Sequence, residues 1–534
     1  MSTGPAVGHH HASEDERTLH RLGYAQILFR EMGGFSNFAI SFTIISILAG
    51  ALTSYYIALQ WGGPVAITWG WLIVGGYCIV VALALGEIAS SMPTAGALYY
   101  WASRLGSPAW GWFTGWFNLI GQIAVTAAID YGAATFTTAL LNLWFPGQVG
   151  TDARTIFLVY TAIVGLHAIL NLFGVRILAL INSISAWWHM AGVLVIVGIL
   201  IAVPSDHASA SFVFTETINN SGFQGASFTN PVFWFVFGIG LLMAQYTITG
   251  YDASAHMSEE TKKASRAAAW GMGMSVAVSV LFGFLLLLAV TFALTDVDGA
   301  IAAGAFAPIA IWLNAMGTKW TEAVLFIAVV AQFYCGTASV TSASRMMFAF
   351  SRDGAVPGWR VWRRVTRTHR VPVFAVLAIA TLAYLLMVPT IWNAAVGYLV
   401  GTSIAVIGLY IAFVLPIILR WRAREKFEHG AWSLGKHYRW IDPVAIAWIF
   451  FICVLFLMPI VPAGIPWNAV PFDWNVVNYA PITVGGAFVL FGGWYVLSAR
   501  KWFKGPRREA ATEEELERIE EQFDVAVGEA RAET

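Results

Sequence analysis

The groups able to do chemistry in this chain are few, and most lie where a lipid-facing segment should hold none. The apolar stretch from Phe38 to Leu59 reads Leu48-Ala49-Gly50-Ala51-Leu52-Thr53-Ser54 at its centre. The stretch from Pro231 to Met257 reads Tyr246-Thr247-Ile248-Thr249-Gly250-Tyr251-Asp252. About 20 apolar residues span a bilayer, and small or hydroxyl-bearing residues mid-span are places where a helix can be interrupted. An interruption frees N–H and C=O groups that lipid cannot satisfy, so it persists where it lines a cavity or holds a polar solute. A helix starting near Gly50 offers its positive end to a carboxylate, and carbonyls around Ser46–Leu48 and Tyr246–Thr249 can accept from an ammonium. A zwitterion uses both. The competing reading makes Ala-Gly-Ala and Thr-Gly close-packing positions in unbroken helices.

Ionisable groups inside apolar spans are functional hypotheses by default. Asp252, just after the second interruption, either receives an amine and holds the unwound backbone or caps the half-helix that begins there. Gln122 faces a solute or bridges helices as an uncharged amide. Asp130 is read as a structural hydrogen-bonding group or as part of an external vestibule. Glu87 and Arg345, near span ends, either pair as an inner gate or snorkel toward water, whereas His167 has no evident partner and Glu322 no assigned role. Cys78, Cys335 and Cys453 are isolated in apolar spans, and His9–His11 form too short a tract for a metal site, so neither metal nor cofactor is expected. The spans hold no HExxH, no Gly-x-Ser-x-Gly elbow and no His cluster, which argues against an enzyme. Rings of like charge that would suggest a channel are also missing.

The elements that must position these groups follow from composition. With 534 residues, 58% hydrophobic and 11% charged, and a mean hydropathy of +0.68, the chain is expected to be an all-α integral membrane protein. Twelve apolar spans are read near 38–60, 65–88, 109–136, 155–173, 177–203, 231–257, 266–292, 321–350, 372–388, 393–419, 441–460 and 480–498. With the N-terminus inside, 28 of the 30 Lys and Arg fall in inside segments, leaving Arg154 and Lys319 outside. Both termini are therefore expected in the cytoplasm, with no cleaved signal peptide. The segment 204–230, without Lys or Arg, reads as a solvated external loop, and several Trp near span ends as interfacial anchors. The acidic run TEEELERIEEQF reads as a short solvated helix with Leu516, Ile519 and Phe523 on one face.

Four runs carry a resemblance: GEIASSMPTAGALYYW ending at Trp101, GWFNLIGQIAVTAAID (Gly115–Asp130), AHMSEETKKASRA (Ala255–Ala267) and SRMMFAFSRDGAVP (Ser344–Pro357). Together they resemble the amino acid permeases of the amino acid-polyamine-organocation superfamily, especially its GABA and choline permease branch. The resemblance implies two inverted five-helix repeats with helices 1 and 6 broken, followed by two further helices. The chain then divides into a tail (1–34), repeat 1 (35–203), an external loop (204–230), repeat 2 (231–420), helices 11 and 12 (421–499) and a C-terminal tail (500–534). It also places Ile47, Ala49, Gly50, Ala51, Gln122, Tyr246, Thr249 and Gly250 at the substrate, with Tyr246 at an aromatic gate. His189 falls where proton-coupled relatives carry a lysine on helix 5, so its protonation would couple proton entry to closure; a neutral, hydrogen-bonded histidine is the alternative. Gly336-Thr337-Ala338-Ser339 keeps sodium open as the coupling ion. Relatives carry Gly-Ser-Gly where this chain has Ala49-Gly50-Ala51, and the two Cβ atoms narrow that turn. The implied function is import of a small amino acid, GABA or a related ω-amino acid, across the cytoplasmic membrane. Choline or polyamine import and a non-transporting sensor are the alternatives.

Overall fold

Proline and glycine set the helix starts. Pro64, Pro108 and Pro231 occupy the first helical turn, where a missing N–H is no loss, and Gly174 opens another helix in a positive-φ conformation. The computed structural model describes residues 13–225, 228–510 and 512–532; His9–His11 lie outside them. Among the described residues there is no strand, only isolated bridges at Met32–Thr261 and Trp61–Asn219. Eleven helices are long and apolar enough to cross a membrane, the first being Gly34–Thr53 and the last Ala480–Trp502. The apolar stretch 231–257 is not among them because it is in pieces: Pro231–Gly240, Leu242–Thr247 and Ala253–His256. Ordinals below follow the order of the apolar spans in the sequence.

The first, third and tenth spans are the most enclosed, whereas the fourth, fifth and ninth bury only part of their surface. Leu158, Leu180, Trp187 and Ile201 stand exposed there, as lipid contact requires. Tight crossings rest on glycine. A Cβ at Gly408 of the tenth span would lie 3.2 Å from the Gly121 backbone of the third, and Trp71 of the second donates to the Val280 carbonyl of the seventh at 2.9 Å. Gly317, with φ 71, separates 307–316 from the rest of the long eighth helix.

The end rich in Lys and Arg is closed by buried ion pairs. Arg352 reaches Glu259 at 2.8 Å, Arg345 reaches Glu260 at 2.7 Å and Arg420 reaches Glu87 at 2.8 Å, all nearly without solvent access. Three sequence expectations are corrected here. Glu87 and Arg345 do not pair with each other, and neither snorkels, because each has a buried partner on another element. Trp61 and Trp312 are likewise buried rather than interfacial, and 204–230 carries a short helix, Ala210–Thr215, with Val213 fully packed.

The acidic tail is not free either. Its helix, Glu513–Ala532, buries Leu516 and clasps the N-terminal helix Glu14–Leu22: His20 Nε2 lies 2.7 Å from Glu520, and Arg370 binds Asp524 at 2.6 Å. The hydrogen bond to Glu520 raises the His20 pKa above its ordinary value, against the desolvation that lowers it. Because the docked-state pKa is the higher one, the clasp is fully stabilised below the ordinary histidine pKa and loses that contribution as pH rises through the raised value. Limited proteolysis should therefore cleave the tail faster at pH 8.5 than at about pH 6, and His20→Gln should remove the difference. Separately, Glu87→Ala strands Arg420 as a buried unpaired cation, which should cost about 3–5 kcal/mol and lower the melting temperature in detergent.

Candidate functional site

Both mid-span interruptions are present, and they face each other. The first span is helical over Gly34–Ile45, turns through Ser46 in a left-handed conformation (φ 31), and resumes at Gly50–Thr53. The amides of Ile47, Leu48, Ala51 and Leu52 take no backbone hydrogen bond among the described residues. In the sixth, helix stops at Thr247 and resumes at Ala253, with Gly250 at φ 92 and the amides of 249–252 likewise unpaired. A Cβ at Gly50 would lie 2.8 Å from Thr247 Oγ1 and 2.9 Å from its Cα, and one at Gly250 would strike Ile44. The two gaps are thus a single feature. Ser41 Oγ stitches it by donating to the Tyr251 carbonyl at 2.8 Å while accepting from the Ser254 amide at 2.9 Å.

Asp252 does not cap its half-helix; no side-chain cap bond forms there. One oxygen instead accepts from Gln122 at 2.9 Å and lies 3.2 Å from His256 Nε2, while Oδ1 is buried without a hydrogen-bond partner. Gln122 therefore does bridge helices, to the residue most able to receive an amine. Thr249 turns its hydroxyl back to the Gln245 carbonyl at 2.6 Å. Ile47, Ala49 and Ala51 are buried around the first gap.

His189 meets the first gap directly. Its Nδ1 lies 2.8 Å from the Ser185 carbonyl, so the neutral ring donates there, and Nε2, 2.7 Å from Ser46 Oγ, is left to accept. Adding a proton to Nε2 makes it a donor to that same hydroxyl, so the charge of the ring decides how Ser46, the pivot of the turn, is held.

Tyr246 closes the gaps from the far side. Its ring packs edge-on to Tyr398 at 6.4 Å, and Tyr398 OH lies 2.9 Å from Thr53 Oγ1. Above these tyrosines a cavity of about 610 Å3 opens at the end opposite the basic one, floored by Thr53, Tyr56, Tyr131 and Tyr398. None of the substrate positions expected from sequence lines it; they form the layer below, sealed from both ends.

Sequence reasoning missed His256 as the partner of Asp252, and it missed a second carboxylate–imidazole pair. His167 Nδ1 lies 3.0 Å from Asp130 Oδ1, both side chains fully buried. Separated by 37 positions and on different helices, they share no spacing signal; only their isolation in apolar spans marked them. Gly50→Ala, which drives a methyl into the Thr247 backbone, should destabilise the protein by about 1–3 kcal/mol and weaken solute binding at least tenfold, checked by melting temperature and by thermal-shift titration.

Comparisons with known proteins place the chain in a family. The "Amino acid permease" family description matches residues 32–488. "Amino-acid permease BAT1" of Arabidopsis thaliana is 38% identical over 506 residues, covering 91% of this chain and 95% of the relative. Its rice homologue is also 38% identical, over 91% of this chain and 94% of the relative. The "GABA-specific permease" of Saccharomyces cerevisiae is 28% identical, over 95% and 88%. These relatives are named as permeases, not enzymes. This multi-pass membrane protein belongs to the amino acid permease family.

Proposed function

We propose that the chain is a proton-coupled secondary transporter that imports a small amino acid, GABA or a related ω-amino acid, across the cytoplasmic membrane. In this reading twelve helices form two inverted five-helix repeats plus two, with both termini cytoplasmic. The observation that carries it is the juxtaposition of the two helix gaps, whose unpaired amides and half-helix carbonyls offer complementary partners to a zwitterion at one point. The carboxylate is held by amides near Gly50 and Ala51, and the ammonium by carbonyls near Tyr246 and by Asp252. Ala49 and Ala51 narrow the turn, which favours a solute whose amino group is set away from its carboxylate over an α-amino acid. The yeast relative's name adds support for GABA.

Access alternates about this layer. With the basic end held shut by Glu259–Arg352 and Glu260–Arg345, entry is from the vestibule past Tyr246 and Tyr398. His189 supports a proton as the coupling ion. Sodium is the alternative coupling ion, since the eighth-span hydroxyls keep oxygen lone pairs for a cation while Ser339 pairs with Thr126 at 2.7 Å and Thr337 donates to the Phe333 carbonyl at 3.0 Å. The tyrosines at the vestibule floor favour choline as the second reading, since quaternary ammonium groups bind aromatic faces.

Proteoliposome uptake of labelled GABA, choline and putrescine, each under a proton and then a sodium gradient, tests the assignment. Accumulation of GABA on the proton gradient is the expected result; choline-only or sodium-driven uptake would replace it. His189→Gln should bind solute normally but lose acid stimulation of uptake, and an unaltered pH response would remove His189 from the coupling role.

A further inference from the structure

Asp130 and His167 form a carboxylate–imidazole pair that the binding layer does not use. The pair lies between the third, fourth and eighth spans, 3.0 Å apart and without solvent access. Neither carboxylate oxygen and neither ring nitrogen makes a further hydrogen bond among the described residues. Such bare polar groups are costly unless the charge is cancelled. The space for the pair is made by Gly336, where a Cβ would strike the Asp130 carboxylate and the His167 ring. Phe333 covers that ring at 4.5 Å.

The surroundings leave one proton as the natural occupant. The titratable groups facing the pair are Tyr160 on the fourth span, Tyr246 on the sixth and Cys335 on the eighth, with Tyr131, Tyr384 and Tyr398 packed behind them. All are neutral when protonated, and among the described residues no Lys or Arg forms an ion pair with Asp130. The pair is therefore electrically neutral only while it holds a single proton, either as carboxylate with imidazolium or as carboxylic acid with imidazole. With none it carries −1 and with two it carries +1, both expensive at this depth.

Its position links the two working layers. Tyr131 and Gly132, next to Asp130, line the vestibule. On the other side Cys335, next to Gly336, donates through Sγ to the Ile44 carbonyl at 3.2 Å, at the end of the first half-helix. Asn171, one turn beyond His167, donates to the Thr337 carbonyl at 3.1 Å and so ties the fourth span to the eighth.

We propose that Asp130 and His167 are a proton-binding site of the transport cycle, distinct from His189, loaded from vestibule water and felt by the first helix gap through Cys335 and Gly336. This rests on the proton-coupled reading above. The step is a proton transfer only: a hydronium ion in the vestibule gives its proton to the unprotonated pair, an N–H or O–H bond forms and water is left. The neutral pair then permits the eighth span to close over it. An unprotonated pair, left with a bare charge in the bilayer, holds the protein open to the vestibule.

The test uses full-length protein in proteoliposomes, with labelled GABA as the probe. Asp130→Asn and His167→Gln should each lower proton-driven accumulation at least tenfold and flatten its pH profile. Counterflow exchange, which needs no net proton movement, should stay within about twofold of wild type. Asp130→Glu should restore coupling with a shifted profile. Variants that keep the wild-type accumulation and pH profile would overturn the proposal, and so would equal loss of accumulation and exchange, the mark of a structural pair. Infrared difference spectra of the wild type, recorded without substrate between about pH 5 and 9, cover the case of a variant that does not fold. They should show either a carboxylic C=O band that moves in Asp130→Glu or imidazolium ring bands that vanish in His167→Gln, and a spectrum with neither overturns the proposal. A wild type without proton-driven uptake overturns instead the reading on which this site rests.

Discussion

In a bilayer every backbone N–H and C=O must find a partner within the protein, and this chain leaves two clusters of them open at the same depth. The rest of the architecture can be derived from that debt. The gaps at 46–49 and 248–252 lie in contact, so the groups freed by one are within reach of those freed by the other, and what remains unmatched has the polarity of a zwitterion. The small residues are required by this closeness. Gly50 lies against the Thr247 backbone, and Gly250 combines a positive φ with contact to Ile44, so neither position has room for a side chain.

Charge is distributed to protect that layer. The ion pairs of Arg345, Arg352 and Arg420 stand at one end, where they close the bundle without exposing a cation to lipid. At the depth of the gaps the carboxylates are matched to imidazoles, Asp252 with His256 and Asp130 with His167, rather than to guanidinium groups. An imidazole can give up its charge near neutral pH and a guanidinium cannot. Guanidinium pairs thus close the basic end, and imidazole pairs stand among the central helices.

Much of this was legible in sequence. The two interruptions stood out because glycine and hydroxyl residues fell mid-span in long apolar runs, but the pairing of Glu259 and Glu260 with Arg352 and Arg345 did not, although the runs AHMSEETKKASRA and SRMMFAFSRDGAVP hold both sides of it. What stayed hidden depended on which helices touch. Asp130 and His167 carry no periodic relation, since their contact is set by the crossing of the third and fourth spans, and Glu87 finds Arg420 only through the tenth. The acidic tail misled because a run of Glu reads as solvated. Its few apolar residues and two carboxylates, Glu520 and Asp524, are enough to dock it once His20 and Arg370 are presented by folded elements. The vestibule was invisible because loops far apart in the chain build its rim.

Asp353 ends the eighth span and accepts from three otherwise separate segments: Tyr24 OH at 2.8 Å, Tyr99 OH at 2.8 Å and the Arg507 amide at 2.9 Å. One carboxylate has only so many lone pairs, and here they gather the N-terminal segment, the short helix Ala97–Leu105 after the second span and the C-terminal segment on a single atom group. Those three contacts cannot be surrendered one by one without leaving the charge progressively bare, so unlatching on this side is favoured as an all-or-none event. A knot tied in this way favours whole release over partial fraying of the three stretches of chain it holds.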